Sequence, residues 1–165
     1  MSVKMRKRHR LKNKEIKVFL NELKTKFDTD FFDTDSSIEI GNLDQFKVIL
    51  VNDEIDFMII EGDIVFTLHG LYKYNPKRGF VIVDMGAVGF VTKGADIMAP
   101  GIIDADANIQ KNDYVWVCDE KNRKPLAIGM ALMTGEEMKS KKSGKAIKNI
   151  HYVGDKLWNL SSQVA

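Results

Sequence analysis

The chain has 165 residues, 44% hydrophobic and 29% charged, with a formal net charge of +2. That composition excludes a disordered chain and supplies one ordinary domain or two small ones with modest cores. The single cysteine, Cys118, excludes an intrachain disulfide and points to a reducing compartment.

No apolar run approaches the ~20 residues of a membrane span. The basic start has no apolar segment behind it, so no signal peptide is read and a cytoplasmic location is expected. Charge is unevenly spread. Residues 1–17 carry eight Lys/Arg against one acid, 18–63 three against twelve, and 64–165 fourteen against ten. A basic arm, an acidic middle and a mildly basic C-terminal half imply an oriented electrostatic surface.

In chain order, residues 1–12 form the basic arm, with Arg6, Lys7, Arg8, His9 and Arg10 consecutive. Asn13 is a candidate N-cap. Ile16, Phe19, Leu20, Leu23 and Phe27 then follow at helical spacing, which predicts an amphipathic helix ending near Asp28. The turn-rich acidic segment 28–35 lacks the ordered Gly and terminal Glu of a calcium loop. From Ser37 the period becomes extended. Strands are expected at 38–40, 46–51, 55–60 and 64–68, joined by short polar turns into an antiparallel meander that the helix must cover. Residues 71–79 read as a short helix or loop and as the domain boundary.

Beyond it, short strands are expected at 80–83, 88–91, 114–118, 126–132, 150–152 and 157–158. With their Gly and Asn-Asp turns they suggest a small, nearly closed barrel. Two helical pieces are expected between them: 94–98, and one starting at Thr134 with Glu137 three positions on, a capping-box pattern.

Catalytic constellations are not found. His9, His69 and His151 are far apart and belong to no nucleophile or metal motif, and there is no CxxC, HExxH or Walker loop. Cys118 reads as a small strand residue. No cofactor, metal or enzymatic activity is expected.

The most informative stretch is 88–101. A strand running into Lys93-Gly94-Ala95, one turn of helix and Pro100-Gly101 would leave unpaired backbone N–H groups, a lysine and small residues at one exposed corner, suited to an anionic strand. Gly129 within a strand marks a bulge or a close backbone approach, and Met130 beside it offers adaptable apolar surface. Lys139, Lys141, Lys142, Lys145 and Lys148 follow as a potential phosphate-tracking edge.

Residues 83–88, 93–101, 126–129 and 144–146, in that order, resemble a PUA domain, the RNA-binding module named for pseudouridine synthases and archaeosine transglycosylases. Asn112-Asp113 stands where that family usually has Gly-Asp, and Asn tolerates the same turn. The ending Ile150-His151-Tyr152-Val153-Gly154-Asp155-Lys156-Leu157-Trp158 resembles the C-terminus of the malignant-T-cell-amplified-sequence proteins and ligatin, translation factors with a small α/β pre-PUA domain. The basic start resembles that of archaeal, stand-alone members. The resemblance implies an α+β chain: a pre-PUA domain over 1–79 (helix on meander, with the basic arm), a PUA pseudo-barrel over 80–160, and a tail over 161–165. It implies a non-catalytic protein contacting structured RNA, a transfer-RNA acceptor end or ribosomal RNA, on or near the small ribosomal subunit or an initiation factor, or in RNA modification. By motif position Lys93, Gly94, Ala95, Met98, Pro100, Gly101, Gly129 and Met130 line the RNA groove. Lys145 adds charge, and Arg6, Lys7 and Arg8 add affinity from an arm that orders on binding. The alternative is a protein-interaction subunit docking through the acidic N-terminal domain.

Overall fold

The computed structural model describes residues 4–27 and 35–164. The chain splits into two compact units, Met1–Pro76 with Asn159–Ala165, and Lys77–Trp158. The acidic segment 28–35, apart from Asp35, lies outside the described residues.

The first unit contains β1 (Arg6–Arg10), α1 (Asn13–Phe27), β2 (Ile38–Leu43), β3 (Phe46–Val51), β4 (Glu54–Ile60), β5 (Asp63–Phe66) and α2 (Leu68–Tyr74). Its strands form one antiparallel sheet in the order β1-β2-β3-β4-β5. The expected meander is present because its turns carry the right chemistry. Asn52 and Asp53 both take positive φ, as do Glu61 and Gly62, the backbone that suits a tight two-residue hairpin. α1 buries Ile16, Phe19 and Leu23, the centre of the expected face. Phe19 meets Phe57 of β4 edge-on at 5.4 Å, an arrangement worth about 1 kcal/mol beyond its burial. The helix begins at Asn13 itself, so the cap position falls one residue before the expected one, on Lys12: Ile16 N–H donates to Lys12 O, and Glu15 accepts from Lys12 N–H.

The basic arm differs from its expectation. Residues Arg6–Arg10 are an ordered edge strand paired with β2, with a bulge between Arg6 and His9. Arg8 donates twice to Glu39, at 2.9 Å each, and once to Asp53 at 2.6 Å. A dense run of cations at a sheet edge is consistent with protection against edge pairing, and here opposite charges across the sheet hold it in place.

The second unit contains β6 (Phe80–Val83), α3 (Met85–Val91), β7 (Ile97–Met98), a 3-10 turn (Ala99–Gly101), β8 (Ile102–Ala105), β9 (Tyr114–Asp119), β10 (Pro125–Ala131), α4 (Gly135–Ser140) and β11 (Lys145–Tyr152). α5 (Lys156–Ser161) follows. The sheet order is β7-β11-β10-β9-β6-β8, antiparallel except for β6 beside β9. The result is the expected α+β architecture, with a curled half-barrel of short strands and short helices in this unit. Val81, Val117, Ala127, Ala146 and Ile147 lie at its centre.

Three local expectations are corrected. Residues 88–91 are helical, not extended: Asp84 Oδ1 accepts from Ala87 N–H and starts α3. Residues 94–98 are not helical: Gly94 takes φ +91°, and the chain then pairs as β7 against β11. Residues 157–158 lie in α5, capped by Asp155 Oδ1 accepting from Trp158 N–H, while 150–152 is the end of the long strand β11. The Thr134/Glu137 capping box is present as read, and its two reciprocal bonds satisfy amides at the start of α4. No helix among the described residues is long and apolar enough to cross a membrane.

Candidate nucleic-acid interface

The corner at Lys93 is the C-terminal end of α3, not the N-terminal end of a helix. Its amides are used: Lys93 N–H donates to Phe90 O (3.1 Å), Gly94 N–H to Val91 O (3.0 Å) and Ala95 N–H to Phe90 O (3.1 Å). The expected row of outward, unpaired amides is therefore absent from this corner. The helix dipole is negative here, which favours Lys93 electrostatically.

What the loop does have is rigidity. Asn149 of β11 donates through Nδ2 to Val91 O and Ala95 O, at 3.1 and 3.0 Å, and its own N–H donates to Asp96 Oδ1 at 3.0 Å. Ala99 N–H reaches Gly144 O at 2.9 Å, and Lys145 Nζ pairs with Asp96 Oδ2 at 3.3 Å. Residues 93–99 are thereby fastened along β11. Gly94 is required twice over, by its positive φ and by Tyr152: a Cβ there would lie 2.9 Å from the ring.

Gly129 is likewise a packing glycine. It is buried, and a Cβ would meet Ile147 Cγ2 and the Lys148 carbonyl oxygen at 2.4 Å. β11 carries its bulge opposite, where Ile128 and Gly129 pair with His151 and Asn149. The smallness read as room for a ligand is room for β11. Gly101 is half-buried with Ala87 Cβ close by. Met130 is half-buried opposite Lys148.

The exposed members are Lys93, Ala95, Met98, Pro100 and Lys145. They adjoin a surface that sequence reasoning missed. α3 turns Met85, Gly86, Gly89 and Phe90 outward, positions i, i+1, i+4 and i+5 on one face. The helix has no charged residue, Gly89 has open space where a side chain would be, and Phe90 is 69% exposed. The available signal was Asp84 as N-cap ahead of a Gly-containing apolar run, which the extended reading of 88–91 concealed. A glycine-bearing face with an exposed aromatic ring, bordered by Lys93, admits a sugar–phosphate strand closely and gives a base something to stack on.

Arg6 and Lys7 are exposed on β1, whereas Arg8 is committed to Glu39 and Asp53. Its hydrogen bond from Arg8 holds the Glu39 carboxyl below its ordinary range. Among the other candidates, burial pushes the Cys118 thiol up to about 11, away from nucleophilic use. His151 is buried and bonded to Asp155, and His9 Nδ1 lies 3.0 Å from Lys7 O.

Residues 79–153 match the PUA domain, and residues 7–74 match a domain of unknown function, DUF1947. An uncharacterized protein of Methanocaldococcus jannaschii is 44% identical over 95% of this chain and 98% of its own length. Translation machinery-associated protein 20 of Saccharomyces cerevisiae is 34% identical over 71% of this chain and 73% of its own. The crystal structure of a hypothetical protein from Pyrococcus horikoshii OT3 is similar with a TM-score of 0.84 and 36% identity, covering 93% of this chain and 99% of that one.

Proposed function

Because the chain belongs to the family of PUA-domain proteins with a DUF1947 N-terminal domain, which includes translation machinery-associated protein 20 and malignant T-cell-amplified sequence proteins, we propose that it is a non-catalytic RNA-binding protein of the cytoplasmic translation apparatus. The observation that carries the reading is the uncharged, glycine-bearing face of α3, with Lys93 at its end and Lys145 fastened to the same loop through Asp96. A structured RNA lays one backbone strand along this face. Lys93 and Lys145 neutralise phosphates, Ala95, Met98 and Pro100 give a low-relief apolar contact, and Phe90 stacks with an unpaired base. Gly94 and Gly129 act from behind, by letting Tyr152 and β11 close up. Selectivity comes from shape and 2′-hydroxyl contacts, not from a base code.

The finer proposal is that the RNA is a transfer RNA held at its acceptor end, near the small ribosomal subunit. Fluorescence anisotropy with purified transfer RNA tests it. Wild-type protein binds with a steep salt dependence, and Lys93→Glu/Lys145→Glu weakens binding on the order of 100-fold at low salt. Removing the unpaired 3′ nucleotides weakens binding to wild type. Binding that ignores the double variant overturns the surface, and binding that ignores the trimming overturns the acceptor end.

A second reading, protein docking by the first unit, is supported by a different observation from the acidic face first expected. Asp53 is paired with Arg8, and Glu54 and Asp56 with Lys73, with Asp56 fully buried, so reversing those charges would disturb folding. Beside α1, however, lies a cavity of about 440 Å³ lined by Leu11, Val18, Phe19, Ile40, Ile49 and Ile59 among others. Val18 there is 68% exposed. An apolar segment of another polypeptide fits it. Val18→Glu should abolish capture of such a partner while leaving transfer-RNA binding intact.

A further inference from the structure

In the first unit, α2 is pressed against β4 unusually closely. Thr67 N–H donates to Asp56 O at 3.0 Å and Thr67 Oγ1 to Ile55 O at 2.8 Å. A Cβ on Gly70 would lie 2.1 Å from Asp56 O. This clamp sets His69, in the first turn of α2, above the carboxylates of Glu54 and Asp56. His69 Nε2 is 3.5 Å from Glu54 Oε2 and 4.0 Å from Asp56 Oδ1. One donor atom from each of the three residues falls within 4.8 Å of the others, a grouping found once among the described residues.

The second observation is Asp56 itself. Its side chain is 0% exposed. One oxygen, Oδ2, is fully used, accepting from Lys73 Nζ at 3.0 Å and from Tyr74 Oη. The other, Oδ1, is buried with no hydrogen-bond partner, and it is the oxygen on the His69 side. An orphaned carboxylate oxygen is costly unless something satisfies it. Glu54 and His69, each about half exposed, leave the group reachable from solvent.

We propose that Glu54, Asp56 Oδ1 and His69 Nε2 form a binding site for one divalent transition-metal ion, Zn²⁺ in the first instance. The donor set decides the class. One imidazole with two carboxylates suits zinc, whereas calcium and magnesium take oxygen alone. Zinc–ligand bonds of about 2.0–2.2 Å place neighbouring tetrahedral ligands roughly 3.3–3.6 Å apart, so small movements of the exposed His69 and Glu54 side chains close the site. Three protein ligands leave a fourth position for water, on the solvent side. Lys73 stays on Asp56 Oδ2 and competes for Glu54, from which it is 2.7 Å away. The ion would tie α2 to β4 at the point where the backbone clamp already joins them. Sequence reasoning missed the set because its members are separated by two and thirteen positions across two strands, the turn between them and the start of a helix.

The test uses the full, tag-free chain stripped with a chelator and titrated with Co²⁺, then displaced with Zn²⁺. The expected result is one Co²⁺ per chain with the intense visible absorption of a tetrahedral site, lost on adding Zn²⁺. His69→Gln and Glu54→Gln, both at exposed positions, should each weaken binding by at least about tenfold. His9→Gln should leave it unchanged. In nuclear magnetic resonance the His69 ring nitrogens should shift with Zn²⁺. No tetrahedral Co²⁺ signal, or Co²⁺ binding that survives intact in His69→Gln, overturns the proposal.

Discussion

The two units use their charges in opposite ways. In the first, cations are spent on neighbouring acids: Arg8 on Glu39 and Asp53, Lys73 on Glu54 and Asp56. Burial raises the Asp56 carboxyl above its ordinary value, against the hydrogen bonds from Tyr74 and Lys73. In the second, Lys93 and Lys145 stand at the margin of a helix face with no charge at all, with Lys145 paired to Asp96 and, further along the chain, Lys141 to Glu137. Net charge by segment therefore misleads: in the most basic stretch of sequence Arg8 is committed to internal pairs, and the proposed interface lies where charge density is modest. What favours a polyanion is cation placement next to accessible, low-relief backbone, not cation count.

The largest expected effect breaks this contrast directly. Lys93→Glu/Lys145→Glu should reduce transfer-RNA affinity on the order of 100-fold at low salt, and flatten the salt dependence by about one unit of slope per lysine. Arg8→Gln should instead lower stability with little effect on affinity. Anisotropy titrations at several salt concentrations, beside urea unfolding, separate the two outcomes.

Next in size is Gly129→Ala. The added methyl has no space against the Lys148 carbonyl, so stability should fall by about 1–3 kcal/mol in urea unfolding. The fraction that remains folded should bind RNA normally. If the affinity falls and stability holds, Gly129 touches the ligand and the packing account is wrong.

Phe90→Ala sharpens the comparison. At 69% exposure the ring contributes little to the core, so unfolding should barely move, while RNA affinity drops about tenfold with the loss of one stacked base. Val18→Ala, an equally exposed apolar truncation in the first unit, should change neither.

The smallest effect concerns Asp155. Burial opposes its charge, yet the hydrogen bond and charge of His151, with the Tyr152 and Trp158 amides, hold the carboxyl below its ordinary value. A depressed folded value means stability that is present above the unfolded value of about 3.9 and is lost as pH falls through the folded one. Asp155→Asn keeps an acceptor for Trp158 N–H, so urea midpoints should become less sensitive to acid between about pH 5 and pH 2. An unchanged acid limb would assign that sensitivity to other carboxylates.

The meander, the α1 face and the α4 capping box were legible in the sequence because each rests on local chemistry: hairpin turns at Asn52-Asp53 and Glu61-Gly62, the 16/19/23 spacing, and Thr134 with Glu137. Family motifs located the second unit in the same way, through residues whose order along the chain is itself the signal. Tertiary structure decided the rest. The run 88–91 is too short and apolar for its period to separate strand from helix, and α3 is helical because Asp84 caps it and β11 holds its far end through Asn149. Gly94 and Gly129 announce a close approach without saying by what, and only the placement of Tyr152 and Lys148 shows that the protein itself fills both spaces. The Glu54, Asp56 and His69 cluster exists solely through the pairing of α2 with β4. Spacing along a chain encodes what neighbours do within one element. Which elements meet is set by burial summed over the whole unit, and sites made at such meetings come into view only once the chain has folded.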